Sequence, residues 1–131
     1  MSIVHIVLFE FKPSTESEVI HDVCKRMLAL RQKCVHPTTK EPYIVESSGG
    51  RDNSPEGHQV VLTLLFFFCS LPNAKAKPTP GAFSHGFVSH FRNEEDRRYY
   101  LEEDPAHLEF VASLKDIIQN VRVVDYSPGV F

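Results

Sequence analysis

The sequence predicts an α+β fold in which four antiparallel strands form one sheet and helices cover one of its faces. The clearest observation is the stretch IVHIVLFEF at residues 3–11, which is rich in β-forming residues and largely apolar on both alternating faces. Such a strand is expected at the centre of a sheet. The second observation is the order of strand and helix patterns along the 131 residues, which is β-α-β-β-α-β and fits one domain, residues 1–131.

The first half of the chain contains the elements that follow this central strand. Thr15, with Glu18 three residues later, fits a capping box, and an apolar stripe predicts a helix from there to about Gln32. A short second strand is predicted at residues 43–46. The segment SSGGRDNSPEGH, residues 47–58, is rich in turn-forming residues and predicts a loop.

The second half contains a third strand, two helix starts and a last strand. The third strand is predicted near residues 82–91 and the last at residues 121–126. Asn93 fits the N-cap of a short helix, and Asp104 followed by Pro105 fits the start of a longer one. The apolar stripe that predicts this longer helix to about residue 120 consists of His107, Val111, Leu114 and Ile118.

The third strand also predicts a partner. Its alternate positions, which share one face, are Phe83, His85, Phe87, Ser89 and Phe91. Leaving such aromatic surface in water costs roughly 25 cal/mol per Å². We therefore expect a second copy to cover this face. The predicted fold is ferredoxin-like βαββαβ with a four-stranded antiparallel sheet, forming a dimeric α/β barrel as a homodimer.

Composition excludes several kinds of partner. The formal net charge is −3 and Lys and Arg are scattered, so nucleic acid is not an expected partner. Cys24, Cys34 and Cys69 are an odd number without CxxC spacing, which favours reduced thiols and a cytoplasmic location. No targeting segment is recognised at the N-terminus. No HxxxH or HExxH motif occurs, and we predict neither a metal nor a cofactor.

Residues 60–80, VVLTLLFFFCSLPNAKAKPTP, fit this plan poorly. The apolar run at 60–68 is well short of the ~20 residues that cross a bilayer, so we predict no membrane partner. The following AKAKPTP resembles a flexible linker. Because the remaining chain still has a complete βαββαβ pattern, we predict an insertion, for which an in-frame retained intron is one origin. A buried strand or an added edge strand is the alternative.

Four stretches of the chain resemble the stress-responsive dimeric A/B-barrel family. They are HIVLFEFKP at 5–13, GRDNSPEG at 50–57, FSHGFVSHF at 83–91, and residues 100–126, where Pro-Ala-His opens a helix and an apolar strand ends in Asp-Tyr. The resemblance implies a homodimer whose two sheets form one barrel, and a link to stress response. Within the family, the chain is similar to plant polyketide cyclases, which are cofactor-free aldol cyclases.

The similarity to these cyclases implies a site. It implies catalytic roles for His5 and His107, and it implies that His85 and Tyr100 contact a ligand. A pocket tyrosine of the cyclases falls near Met27 in this sequence. The similarity therefore does not imply the same substrate.

Elementary chemistry supports the histidine pair independently of the resemblance. An imidazole with a pKa near 6.5 takes a proton from an activated carbon near neutral pH and returns it to an oxygen. Phe9, Phe87 and Phe110 would form the walls of a cavity that holds a small apolar, polyketide-like ligand. The alternative for each histidine is a core side chain that is hydrogen-bonded to the backbone.

Three functions remain open at this stage, and the sequence does not decide whether the protein is an enzyme. The first is a small homodimer with a ligand-binding or stability-linked role and no assigned reaction. The second is a cofactor-independent polyketide cyclase or lyase that uses His5 and His107 as acid and base. The third, suggested by the fold alone, is a cofactor-free monooxygenase.

Overall fold

The computed structural model describes residues 1–55 and 83–131. The predicted insertion at 60–80 lies outside the described residues. The described elements are, in chain order, strand β1 (Ile3–Phe11), helix α1 (Ser17–Lys33), strand β2 (Ile44–Arg51), strand β3 (His85–Phe91), helix α2 (Glu94–Glu102), helix α3 (Pro105–Ser113) and strand β4 (Ile118–Tyr126).

The four described strands form one antiparallel sheet in the order β2-β3-β1-β4. Strand β1 is central, as its two apolar faces predicted, and it pairs with β3 on one side and β4 on the other. This strand order is that of the ferredoxin-like arrangement. The predicted α+β fold is therefore confirmed.

The helices cover one face of this sheet. Val7 of β1 lies in register with Phe87 of β3 and with Val123 of β4, so these side chains point to the same side. Val7 and Phe87 belong to one buried cluster with Met27 of α1 and Phe110 of α3. The hydrophobic core therefore lies between this face and the helices.

The aromatic face of β3 is the helix-covered face, which corrects the argument made from sequence. Phe87 and Phe91 are 1% and 0% exposed within a single chain, so they need no partner to cover them. The opposite, open face carries Ile6 and Val88, which are half-buried, and Val124, which is 52% exposed. Because β1 is apolar on both faces, its pattern does not show which face the helices cover.

The predicted N-terminal caps of the first two helices had different outcomes. Asn93 accepts a hydrogen bond from the backbone N–H of Asp96 at 2.8 Å and caps α2 as predicted. The predicted capping box at Thr15 is wrong, because Glu16 precedes α1 and makes no side-chain cap. The hydroxyl of Thr15 instead donates to the carbonyl oxygen of Ile117 at 3.4 Å. A tertiary contact has replaced the local one.

Helix α3 is shorter than its sequence pattern predicts. It ends at Ser113, and β4 begins at Ile118, where the prediction placed the last turns of the helix. Ile118 pairs with Phe11, beside a bulge in β1. Leu114, in the turn, and Ile118, in the strand, therefore pack on the same core. Their spacing in the sequence resembles that of a helix because both side chains face this core.

Strand β2 extends through part of the predicted loop to Arg51. Gly49 and Gly50 pair with Phe87 and Gly86 of β3. A Cβ atom at Gly49 would lie 2.2 Å from Cδ1 of Phe87, so only glycine leaves room for the ring. Of the two glycines that indicated a turn, Gly49 is used here for close packing between strands.

Candidate functional site

Helix α3 begins at a buried carboxylate. Asp104 is 1% exposed, and its Oδ1 accepts hydrogen bonds from the backbone N–H groups of Ala106 at 2.8 Å and His107 at 3.3 Å. Pro105 occupies the first helical position, where a missing N–H costs nothing. The predicted Asp-Pro helix start is confirmed, and this cap holds the backbone of His107.

The other oxygen of this carboxylate is anchored from the opposite side of the core. Tyr43, which is 2% exposed, donates its hydroxyl to Oδ2 of Asp104 at 2.6 Å. Burial, followed by the neighbouring Asp104 carboxylate, raises the pKa of the buried Cys34 thiol to about 12. Burial and the bond to Asp104 also raise the pKa of Tyr43. Both groups stay protonated near neutral pH, so the cluster supports the helix start rather than supplying a nucleophile.

His107 lies against the ring of Tyr100 from α2. The two ring centroids are 3.8 Å apart and the planes are inclined by 30°. Burial lowers the pKa of His107, the carbonyl of Tyr100 and the Asp104 carboxylate oppose this, and nearby His5 adds to it. Nδ1 of His107 is buried and has no hydrogen-bond partner of good geometry among the described residues. The ring is therefore neutral near pH 7.

His5 is held by a carboxylate on the neighbouring strand. Its Nδ1 lies 2.5 Å from Oδ1 of Asp125, which is its register partner on β4, and His5 is only 2% exposed. Arg97 of α2 donates to the second oxygen, Oδ2, at 2.6 Å. A proton on Nδ1 that points to the carboxylate leaves Nε2 with its lone pair. This is the arrangement of a base oriented by a third group.

Tyr100 brings the two histidines to the same end of the fold. Its buried ring lies edge-on to His5, with centroids 5.8 Å apart, and is stacked on His107. Burial raises the pKa of the Tyr100 hydroxyl, so the phenol stays neutral. Two imidazoles and one phenol thus form a compact set of titratable side chains.

A cavity of about 480 Å³ lies beside these rings, between the sheet and helices α1 and α3. Its size falls within the range of small-molecule sites. Most of its wall is apolar and includes Phe9, Met27 and Phe110. Its polar lining residues are His5, Tyr100, His107, Lys115, Gln119 and Asn120. The cavity therefore combines an apolar wall with a few polar groups.

Four of the six site residues predicted from sequence line this cavity, namely His5, His107, Tyr100 and Phe9. His85 and Phe87 are not among its lining residues. Phe87 is buried in the core, and His85 hydrogen-bonds to Ser84 at 2.9 Å with its ring against Phe11. The geometry gives no support to the predicted ligand contacts of these two residues. Met27 lines the cavity where the similarity to cyclases placed a tyrosine.

Sequence reasoning did not assign roles to several polar residues of this region. In the sequence, Asp125 stands out only as part of the Asp-Tyr ending of the last strand, although antiparallel pairing of the first and last strands would place it near His5. Arg97 follows three acidic residues, a charged pattern that by itself indicates a solvated helix face. No local signal pairs Tyr43 with Asp104, because they are 61 residues apart. These partners become visible only when the elements are assembled.

The described residues offer no metal centre and no membrane helix. Within residues 1–55 and 83–131, no group of three or more His, Cys, Asp or Glu side chains is placed to hold a metal ion. No helix in this part of the chain is long and apolar enough to span a membrane.

Solved structures share this architecture. A protein of Arabidopsis thaliana is 22% identical, with a TM-score of 0.64 over 98% of this chain and 97% of that one. The hydroxynitrile lyase of Passiflora edulis is 18% identical, with a TM-score of 0.67 over 99% and 96% of the two chains. A protein of Thermobifida fusca, described as dimeric and ferredoxin-like, is 16% identical, with a TM-score of 0.63 over 97% and 91%. At these identities the likeness shows the fold.

Sequence comparison adds the family. A search of curated proteins found no match. The family model described as the stress responsive A/B barrel domain matches residues 3–76 and again residues 63–128. The two matches together extend from β1 to the end of β4, the same elements that form the described sheet and its helices. The chain belongs to the stress-responsive A/B barrel domain family.

Proposed function

We propose that this protein is a cofactor-independent acid–base enzyme that forms or breaks a carbon–carbon bond beside a carbonyl group. Its substrate would be a small, mostly apolar molecule of the polyketide type. The observation that carries the proposal is the hydrogen bond from His5 to Asp125, with Arg97 behind it, at one end of an apolar cavity. A histidine that served packing alone would not need a carboxylate at 2.5 Å.

His5 is the proposed base. Asp125 holds the proton of the ring on Nδ1, so that Nε2 is free to take a proton from a carbon next to a carbonyl. The electron pair left on that carbon then attacks a second carbonyl of the same molecule and forms the new carbon–carbon bond. The oxygen of the attacked carbonyl takes a proton back from the protonated base, so the net proton count does not change.

His107 and Tyr100 are proposed to hold the carbonyl oxygen. A neutral imidazole and a neutral phenol both donate hydrogen bonds to an oxygen on which negative charge develops. The lowered pKa of His107, caused mainly by burial, keeps the ring neutral near pH 7. These groups would therefore stabilise the charge that the base creates.

Lyase chemistry uses the same groups in the opposite direction. The base removes the hydroxyl proton of a cyanohydrin or aldol, the carbon–carbon bond breaks, and the leaving carbon takes the proton. The Passiflora edulis neighbour is a hydroxynitrile lyase, which supports the view that this fold accommodates such a reaction. At 18% identity it does not identify the substrate of this protein.

The experiment that tests the proposal compares the wild-type protein with His5→Gln on two probes. One probe is the cyclisation of a linear poly-β-keto thioester, and the other is the cleavage of mandelonitrile to benzaldehyde, followed by absorbance. Loss of a general base should lower the rate by about 10²- to 10⁴-fold. His21→Gln, on the exposed surface of α1, is the matched control and should leave the rate unchanged. Equal turnover by wild type and His5→Gln, or no turnover of either probe, would contradict the proposal.

Met27 favours a second candidate, a ligand-binding protein without turnover. It lines the cavity at the position where the similar cyclases have a tyrosine, so one hydroxyl of that site is replaced by a thioether. Under this reading His107→Ala would change the melting temperature of the protein while no activity is lost. Binding of an apolar ligand without any product, measured with the same probes, would favour this candidate.

We also propose that the protein is a homodimer, with the open face of the sheet as its interface. Tyr126 and Val124 are 47% and 52% exposed on that face, next to half-buried Ile6 and Leu8. Apolar surface of this kind gains about 25 cal/mol per Å² when it is covered. Several neighbours of the same fold are described as dimeric, which supports this assignment. Mass by light scattering tests it, and a monomer at micromolar concentration would refute it.

The insertion at 60–80 remains a proposal. The two family matches overlap at residues 63–76, which fall inside the proposed insertion, and this overlap supports the idea that the segment is additional to the domain. Sequencing of the transcript across this region tests its origin. A message that always encodes VVLTLLFFF would exclude the retained intron.

A cytoplasmic location is proposed on the basis of the thiols. Cys24 and Cys34 are free in the described part of the chain, and Cys34 is fully buried. Free cysteines are typical of reducing compartments. Fractionation of cells that express the protein would test the location.

A further inference from the structure

The cavity has two chemically different ends, and β1 and β4 define the distance between them. His5 pairs with Asp125 at one end, while Phe9 pairs with Val121 at the other. Four residues of a strand separate His5 from Phe9, which corresponds to about 13 Å. The cavity is lined by residues from both positions, so it follows the strands over this length.

Helix α3 and the turn after it give a second measure of the same length. His107 lies in the first turn of α3, and Lys115 follows the end of the helix. Eight residues separate them, or about 12 Å if they rise as in an α-helix. Both residues line the cavity. The strands and the helix therefore give similar lengths for the cavity. The end with the two histidines is separated from the end with Lys115 by roughly this length.

The lysine end differs from the rest of the wall in its charge. Among the described lining residues, Lys115 is the one side chain with a permanent charge, and Gln119 and Asn120 line the cavity four and five positions further along the chain. Asp116, which follows Lys115 directly, is not among the lining residues. No carboxylate of residues 1–55 and 83–131 forms an ion pair with Lys115. An ammonium group and two amides at the rim of an apolar cavity are donors suited to an anionic oxygen.

We propose that the cavity binds an extended apolar molecule whose far end is a carboxylate, with the carboxylate at Lys115 and the apolar chain along β1 and β4. This deepens the proposed function, on which it rests for the reaction at the histidine end. The reactive carbonyl then lies at His5, about 12–13 Å from the carboxylate. A substrate that has the carbonyl at one end and the acid at the other fits both ends at once.

The test is the binding of decanoate to the full-length protein by titration calorimetry, compared with methyl decanoate and decyl phosphate. These probes share the alkyl chain and differ in the head group. Decanoate should bind more tightly than the ester, and Lys115→Gln should weaken its binding by about tenfold, as expected for a charge-assisted hydrogen bond. Lys25→Gln, on the exposed surface of α1, removes the same charge away from the cavity and should change the affinity by less than about twofold.

Each other outcome overturns the assignment. Equal binding of decanoate and its methyl ester, or an unchanged affinity in Lys115→Gln, removes the role of the lysine. Absence of decanoate binding to the wild-type protein removes the carboxylate ligand. Tighter binding of decyl phosphate than of decanoate, lost in Lys115→Gln, would assign the site to a phosphate-bearing ligand instead.

The proposed reaction and this inference fail separately. His5→Gln tests the reaction, whereas Lys115→Gln and the comparison of decanoate with its methyl ester test the carboxylate end, because His5 and Lys115 lie at opposite ends of the cavity. If decanoate binds as described but neither probe reaction is catalysed, the carboxylate site stands and the enzyme proposal falls.

Discussion

Tyr43→Phe is the perturbation that most directly tests how the site is supported. The substitution removes one hydroxyl and keeps the ring, which stacks on Phe91 with centroids 6.3 Å apart. The lost hydrogen bond to Asp104 is 2.6 Å long and fully buried, since the two residues are 2% and 1% exposed. Water does not reach the oxygen that is left behind.

The magnitude follows from this burial. A hydrogen bond to a charged group contributes about 1.5–3 kcal/mol, and leaving a buried acceptor unpaired costs a similar amount. We expect Tyr43→Phe to lower the free energy of unfolding by about 2 kcal/mol, which for a domain of this size lowers the Tm by roughly 6–10 °C. Because Asp104 also caps α3, the change should loosen the backbone that carries His107.

Chemical denaturation at a fixed protein concentration measures this effect. Tyr126→Phe is the matched control, because Tyr126 is 47% exposed in a single chain, and the comparison is repeated at a second protein concentration because Tyr126 lies on the proposed dimer interface. A double-mutant cycle with Asp104→Asn should return a coupling of at least about 1 kcal/mol. A loss below about 0.5 kcal/mol for Tyr43→Phe, the range of ordinary surface changes, would refute the reasoning.

Three further predictions follow from single contacts. Gly49→Ala would place a Cβ 2.2 Å from the ring of Phe87 and should lower the free energy of unfolding by about 1–3 kcal/mol. Gly50→Ala should be tolerated, because a Cβ there would meet nothing within 4 Å. Equal Tm values for the two variants would contradict this prediction. Because burial lowers the pKa of His107 below 6.5, folding favours its neutral form, so the stability it contributes is complete above pH 6.5 and is lost as the pH falls through the lowered value. His107→Gln should therefore reduce the loss of stability between about pH 7 and pH 5, and identical pH profiles of denaturation would exclude this role. Asn93→Ala should cost about 1 kcal/mol by removing the cap of α2, measured by the same denaturation, and no change would show that the cap is dispensable.

The sequence was sufficient to predict structural features that depend only on residues close together in the chain. Asp104 with Pro105 and Asn93 began helices as predicted, because a cap involves only the following turn. The central position of β1 followed from its two apolar faces. His5, His107, Tyr100 and Phe9 line the cavity with the histidines on facing elements.

The sequence by itself determined the order of the strands and helices and the choice of His5 and His107 as candidate site residues. The tertiary structure decided which side chains these histidines contact. Strand pairing set the end of α3 and extended β2 through Gly49, because backbone groups of distant strands had to be satisfied. The same pairing placed Asp125 against His5, 120 residues away. Burial in the core lowered the pKa of His107, since desolvation exists only after the core has formed.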